Sequence, residues 1–252
     1  MLIDKIFAEA EPVLKKRKIS NVYIGLTMAA VQLDDGGIGT SLILREEVNA
    51  QDPISFDPEI IKKMEAIEMA KWATVPDAHV LKRTLGIATI NACAYSQNLA
   101  AADRSEAADA VQFEQEDTVG FIGWIRGLVK KTESRVQKVI IYDNAVNECV
   151  YPPETQEEWL PQCDVVFISG TAFVNQTMDQ LIELCKNARE VIITGPTTPM
   201  FPSAYRDTNV TVLAGGLWKK ERQEQIFSRI ALNAGVSSLS PYFEKISLKL
   251  KN

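Results

Sequence analysis

The chain has 252 residues, 46% hydrophobic and 24% charged, with a net charge of −6. That balance speaks against a nucleic-acid partner, whose footprint would be a basic face, and fits an ordinary globular protein of one large or two modest domains. No apolar stretch reaches the roughly 20 residues of a membrane-spanning helix. Asp4, Lys5 and Glu9 interrupt the first apolar turns, unlike a signal peptide. The four cysteines, Cys93, Cys149, Cys163 and Cys185, are scattered without a C-x-x-C pair, so a reduced, cytoplasmic protein is expected.

Leu2–Lys16 reads as an amphipathic helix, and Lys15-Lys16-Arg17-Lys18 as its solvated cationic end. Two β-rich runs, Val22–Leu33 and Ile38–Leu44, flank Asp34-Asp35-Gly36-Gly37 and predict a hairpin. Glu46 and Glu47 end its second strand. Because side chains alternate along a strand, one of them faces a partner domain, and Glu47 is the candidate acid or base. Asp57-Pro58 opens a helix with the apolar stripe Ile60, Met64, Ile67 and Trp72. His79, the single histidine, stands at a helix entrance and suits a capping role; one histidine makes no His-rich metal site. From Val80 to Ala102, Leu81, Leu85, Ala88, Ala92, Tyr95 and Leu99 recur at helical spacing. The other faces are also apolar, so this helix is expected to be buried on most sides, with Asn91 and Cys93 at buried surface. Asp103–Asp117 carries six acidic residues and one Arg and reads as a connector. The expected division is 1–108, an α+β domain, and 109–252, an α/β domain.

Past the connector, five short apolar runs end in small, turn-prone or acidic residues: TVGFIG, VIIYD, DVVFISGT, VIITGPTT and VTVLAGG. Their marks Gly120, Asp143, Ser169, Gly195 and Gly215 lie 23, 26, 26 and 20 residues apart, room for one strand and one crossover each. Open parallel sheets bind ligands outside their strand carboxyl ends. Gly120-x-x-Gly123, with Phe121 between, precedes an expected helix over Trp124–Lys131, and Asp143 ends the next strand. That imitates a nucleotide site, although the glycine order is not G-x-G-x-x-G, and close strand–helix packing through glycine is the favoured explanation. Ser169-Gly170-Thr171 stands before Asn175 and Thr177; it offers hydroxyls and amides to an anion, or one of the later residues simply caps a helix. Thr155-x-x-Glu158 and Thr177-x-x-Gln180 fit capping boxes. Gly195-Pro196-Thr197-Thr198-Pro199-Met200-Phe201-Pro202 is a stiff loop suited to preorganised contact, or a rigid connection. The tail Ile246–Lys251 alternates like a short edge strand with protective lysines.

The strings VGFIG, ISGTAFVNQTMDQLIE, ITGPTTPMFP and LAGG, in this order, resemble the family called domain of unknown function 364 (DUF364), named for heavy-metal chelation. IGLTMAAVQLDDGG and GIATINACAYS resemble the small domain that precedes it, of the DUF4213 type. The resemblance covers almost the whole chain. It implies an enolase amino-terminal-like domain followed by a Rossmann-like open parallel sheet, with a ligand cleft between them. It further implies a pterin-, flavin- or siderophore-like small molecule, and a heavy metal held through such an organic chelator. The positions matching the family are Asn91, Gly120, Gly123, Gly170, Thr171, Asn175, Gly195, Pro196, Thr197, Gly215 and Gly216. Three functions follow as expectations. The first is an enzyme of condensation or hydrolysis in the cleft, with Asn91 orienting substrate and Glu47 moving a proton. The second is a carrier or sensor of a chelated metal without turnover. The third is a Rossmann methyltransferase or dehydrogenase. Oligomeric state is left open.

Overall fold

The structure, a computed structural model, describes residues 1–48, 54–99, 102–143 and 150–250. It begins with α1 (Leu2–Leu14), which buries Leu2, Ile3, Ile6, Ala10 and Leu14. Then β1 (Ile19–Ile24), β2 (Met28–Leu33) and β3 (Ile38–Leu42) form an antiparallel meander. The expected hairpin is β2–β3, turning through Gly36 at φ +82°. The run Val22–Leu33, however, is two strands. A turn splits it where Gly25 N–H meets the Met28 carbonyl at 3.0 Å, and a Cβ on Gly25 would lie 2.2 Å from the Ile230 oxygen. Glu46 and Glu47 sit in a 3-10 turn, Arg45–Glu47, beyond β3 and not on it.

The helix expected from Pro58 to Trp72 is also two: α2 (Pro58–Ile61) and α3 (Ala66–Ala70). Between them Glu65 bridges Lys18, and the Met64 carbonyl accepts from Ile19 N–H at 3.1 Å. The stripe therefore breaks, leaving Ile60 60% exposed. Asp57 does cap α2, its Oδ1 accepting from Glu59 N–H at 2.8 Å. α4 (Val80–Ala92) is buried at every residue from Thr84 to Ala92, as its all-round apolar sequence requires. It is capped by His79, whose Nδ1 accepts from Leu81 N–H. It ends ten residues earlier than its periodicity predicts, passing into a 3-10 turn at Ala94–Ser96.

The acidic segment is more than a solvated connector. Asp103 pairs with Ser247, and a 3-10 turn at Ala107–Asp109 buries Ala107 and Ala108. Next come β4 (Thr118–Ile122), α5 (Arg126–Thr132), β5 (Lys138–Tyr142), α6 (Gln156–Trp159), β6 (Val165–Ser169), α7 (Met178–Leu184) and β7 (Glu190–Thr194). β8 (Val212–Trp218), α8 (Gln223–Ala231), α9 (Val236–Leu239) and β9 (Phe243–Lys249) complete the chain. The sheet order is β5-β4-β6-β7-β8-β9, parallel except for antiparallel β9 at the edge. The chain thus forms the expected α+β unit followed by an open, mostly parallel α/β sheet. Thr155 and Thr177 precede α6 and α7, but neither side chain caps its helix. Thr155 Oγ1 donates to the Pro152 carbonyl and Thr177 Oγ1 to Asn175 Oδ1, both at 2.8 Å. The reciprocal box occurs instead at Glu65 and Glu68, before α3.

The two halves share their cores. β2 is buried along its whole length, because its alternating faces pack on different helices. Ala29, Val31 and Leu33 join the core that contains α4 and one face of the large sheet. Met28 and Ala30 pack with Trp218, Ile226, Phe227 and Ile230 from the chain's far end. Among the described residues no helix is long and apolar enough to cross a membrane.

Candidate functional site

β4 is the first strand of the large sheet, with β5 on one side and β6 on the other. The strand order therefore reverses there, and such a switch point, outside the carboxyl ends of β4 and β6, is where open α/β sheets bind ligands. Gly123 leaves β4 at φ +96°, and a Cβ on it would lie 3.1 Å from Ser169 Cβ. Only glycine lets this turn cross so near the end of β6. Asp143 anchors the turn, its Oδ2 accepting from Trp124 N–H at 2.6 Å. Gly123 N–H donates to the Tyr142 carbonyl, Ile125 N–H to that of Gly123 and Arg126 N–H to that of Trp124. The amides of residues 123–126 are thus spent inside the protein, whereas a dinucleotide fingerprint turns them toward a pyrophosphate. Gly120 and Phe121 lie lower. A Cβ on Gly120 would stand 3.1 Å from Cys163 Sγ, and Phe121 is fully buried, stacked on Phe167. Both are placed to pack the sheet.

On the β6 side, Ser169 Oγ accepts from Thr171 Oγ1 at 2.8 Å and from Thr171 N–H at 3.4 Å. Its own hydroxyl proton remains to donate. Asn175 lies past this turn, and its Oδ1 accepts from both the N–H and the hydroxyl of Thr177. A Cβ on Gly170 would lie 2.7 Å from Thr198 N, so the turn after β6 abuts the proline-rich loop after β7. Gly195 opens that loop at φ +105°, with space where a Cβ would point. Gly215 and Gly216 serve close packing: their Cβ atoms would meet Met200 Sδ at 2.7 Å and the Glu244 carbonyl at 2.1 Å.

The proline-rich loop is bolted to the first half. Thr197, 1% exposed, accepts through Oγ1 from Leu42 N–H at 2.9 Å. Thr40 Oγ1 donates to the Pro196 carbonyl and accepts from Trp218 Nε1. Asn91 Nδ2 donates to the carbonyls of Thr40 and Thr197, at 3.0 and 3.1 Å. Its amino group is thereby committed to joining the halves. Asn91 Oδ1 and Thr198 Oγ1 are buried with no protein partner, the kind of atom an internal water satisfies.

Glu47 reaches the same region through Arg83, which the sequence did not single out. Arg83 Nε donates to the Val174 carbonyl at 2.6 Å, just past the turn after β6. Nη1 donates to the Ala78 carbonyl, and Nη2 lies 3.7 Å from Glu47 Oε2. Burial pushes the Glu47 carboxyl above its ordinary value, with Arg83 opposing. Arg83 carries no motif; its three partners come from separate segments.

The described residues do not fit a directly held metal. Among them no three His, Cys, Asp or Glu side chains gather. Cys93, Cys163 and Cys185 are buried free thiols, and burial pushes each up to about 12, far from the thiolate a soft metal needs. Cys149 lies outside the described residues.

Fold and site together define a two-part α/β protein whose turns after β6 and β7 are hydrogen-bonded to its smaller part. Family models agree. DUF4213 matches residues 7–94 and DUF364 residues 106–249, both described as "Putative heavy-metal chelation". The chain belongs to the DUF364 family. It is 26% identical to the uncharacterized protein MJ0500 of Methanocaldococcus jannaschii over 85% of each chain. A DUF364-family protein of unknown function from Pyrococcus horikoshii shares the fold with a TM-score of 0.85 and 23% identity, covering 99% of this chain and 100% of that one. A second, from Desulfitobacterium hafniense, has a TM-score of 0.79 and 21% identity, over 98% of each.

Proposed function

We propose that the protein is a cytoplasmic enzyme acting on a small pterin-, flavin- or siderophore-like molecule in the crevice outside β4 and β6. The observation that carries this reading is the Arg83 bridge, which sets Glu47 one guanidinium away from the turn after β6. A carboxyl raised by burial can hold a proton and release it, the property that condensation or hydrolysis requires of an acid–base group. Ser169 donates its hydroxyl to the ligand, and the open side of Gly195 gives the ligand backbone to lie against. The family's heavy metal enters as cargo, carried by the organic ligand, because the described donor set does not hold a bare ion.

A non-catalytic carrier is the second reading. It is favoured by the pairing of the Ser169 and Thr171 hydroxyls with each other and by the commitment of the single histidine to its helix cap, which leaves no hydroxyl–imidazole pair. The internally spent amides of residues 123–126 weigh against the methyltransferase or dehydrogenase alternative.

Native mass spectrometry of protein purified from its own host without chelators tests the site. An organic adduct is expected in the natural chain and is reduced in Ser169→Ala. Glu47→Gln is expected to retain the adduct and to stop its conversion; conversion at the natural rate takes the acid–base role from Glu47, and no conversion by the natural chain leaves the carrier reading. A bare metal adduct sinks both.

A further inference from the structure

A second concavity lies between β1, β2 and the first turns of α8, with a volume of about 380 Å³, within the usual range of small-molecule sites. It shares no residue with the strand-end crevice. Three carboxamides from three elements join across it. Asn21 Nδ2 on β1 donates to Gln32 Oε1 on β2 at 2.8 Å. Gln32 Nε2 in turn donates to Gln223 Oε1 on α8. Gln32 is only 5% exposed, so its two bonds hold its own amide in place, and through one of them it tethers the exposed Gln223 at Oε1. Gln223 accepts with one lone pair and keeps a second lone pair and its amino group side by side.

The apolar wall is Tyr23 and Phe227, whose rings stack with centroids 4.5 Å apart and planes 10° apart. Phe227 is the buried member and Tyr23 the half-buried one, so Tyr23 supplies the platform. Glu224 sets a carboxylate on the rim, and no Lys or Arg lines the groove, which disfavours an anion.

We propose that this groove binds a neutral planar heterocycle with a lactam edge. The ring lies on Tyr23, and its neighbouring C=O and N–H pair with the amide of Gln223, as a carboxamide pairs bidentately with a base edge. Gln32 is the positioning residue, because it orients Gln223 without reaching the ring. No bond of the ligand is made or broken.

The test is calorimetric titration of the full chain with uracil and with hypoxanthine, two small lactam rings. Saturable binding in the millimolar range or tighter is expected for at least one. N,N′-dimethyluracil, equally flat but without the lactam N–H, is expected to bind at least tenfold more weakly, since a site built around a hydrogen bond rejects the analogue lacking it. Gln223→Ala, on the exposed face of α8, is expected to weaken binding at least tenfold while the far-ultraviolet circular dichroism stays unchanged. Tyr23→Leu is expected to weaken it as well. Ser169→Ala, in the other crevice, is expected to leave it intact, so failure of one site is distinguishable from failure of the other. The proposal is overturned if neither ring saturates, if the methylated ring binds as well as uracil, or if both Gln223→Ala and Tyr23→Leu leave binding unchanged.

Discussion

Asn91 sits on the longest buried helix, yet its side chain is turned to the other half of the molecule. It gives two hydrogen bonds, to Thr40 and Thr197 carbonyls that are themselves at the seam. A buried carbonyl that loses its donor keeps the cost of its dehydration. Asn91→Ala is therefore expected to destabilise by about 2–4 kcal/mol, adding two orphaned acceptors and a small cavity. Urea unfolding measures it; a loss under about 0.5 kcal/mol would show that water replaces the amide freely. Glycines with similar sequence signatures do different work here. Gly123 crosses the end of β6, whereas Gly120 sits under Cys163. A motif can mark where the backbone must come close, but the partner in that approach is chosen by the fold.

At the scale of elements, the acidic connector behaves as a clasp. Glu106 binds Lys131 of α5 and Lys245 of β9, and these two ammonium groups hold its carboxyl down at about 2, against an ordinary 4.5. A depressed carboxyl contributes stability that is complete above its ordinary value and is lost as pH falls toward its folded one. The loss should run from pH 4.5 down through about 2. Because Glu106 is 38% exposed, screening limits the effect to about 1 kcal/mol or less. Glu106→Gln should lower the melting temperature near neutrality and converge on the natural chain near the bottom of that window. Parallel melting curves across the window would refute the clasp. Elements set by local pattern were legible: the apolar runs all became strands of the large sheet, and the burial of α4 followed from its composition. Those set by distant partners were not. The turn at Gly25 answers to Ile230, and the break between α2 and α3 answers to Lys18. Thr177 fits a capping box, but its hydroxyl has a nearer acceptor in Asn175. The placement of Gly123, Ser169 and Gly195 at strand ends was legible from their runs, while Arg83 had no local signal to find.

At the scale of the whole molecule, the two family segments meet in sequence near the connector but do not separate in space. α8, from the far end of the chain, covers one face of the small sheet, and the first residue of α1 donates its N–H to Asp179 Oδ1 of α7 at 2.9 Å. Either half alone would expose an apolar face that the other now covers. A shared core makes the unfolding of one half raise the free energy of the other, which is the physical origin of a single transition. The chain is therefore expected to melt once, with a calorimetric enthalpy near 0.7 kcal/mol per residue equal to the van't Hoff value. Variants retaining only Trp72, in the smaller half, or only Trp159, in the larger, should report the same midpoint. Phe227→Ala removes a ring that is 5% exposed at the shared face and should cost about 3–5 kcal/mol. Its decisive feature is that both reporters must shift together. If Trp72 lost its native signal while Trp159 kept its own, the halves would be separable, and the seam at Asn91 and Thr197 would be free to open without unfolding either.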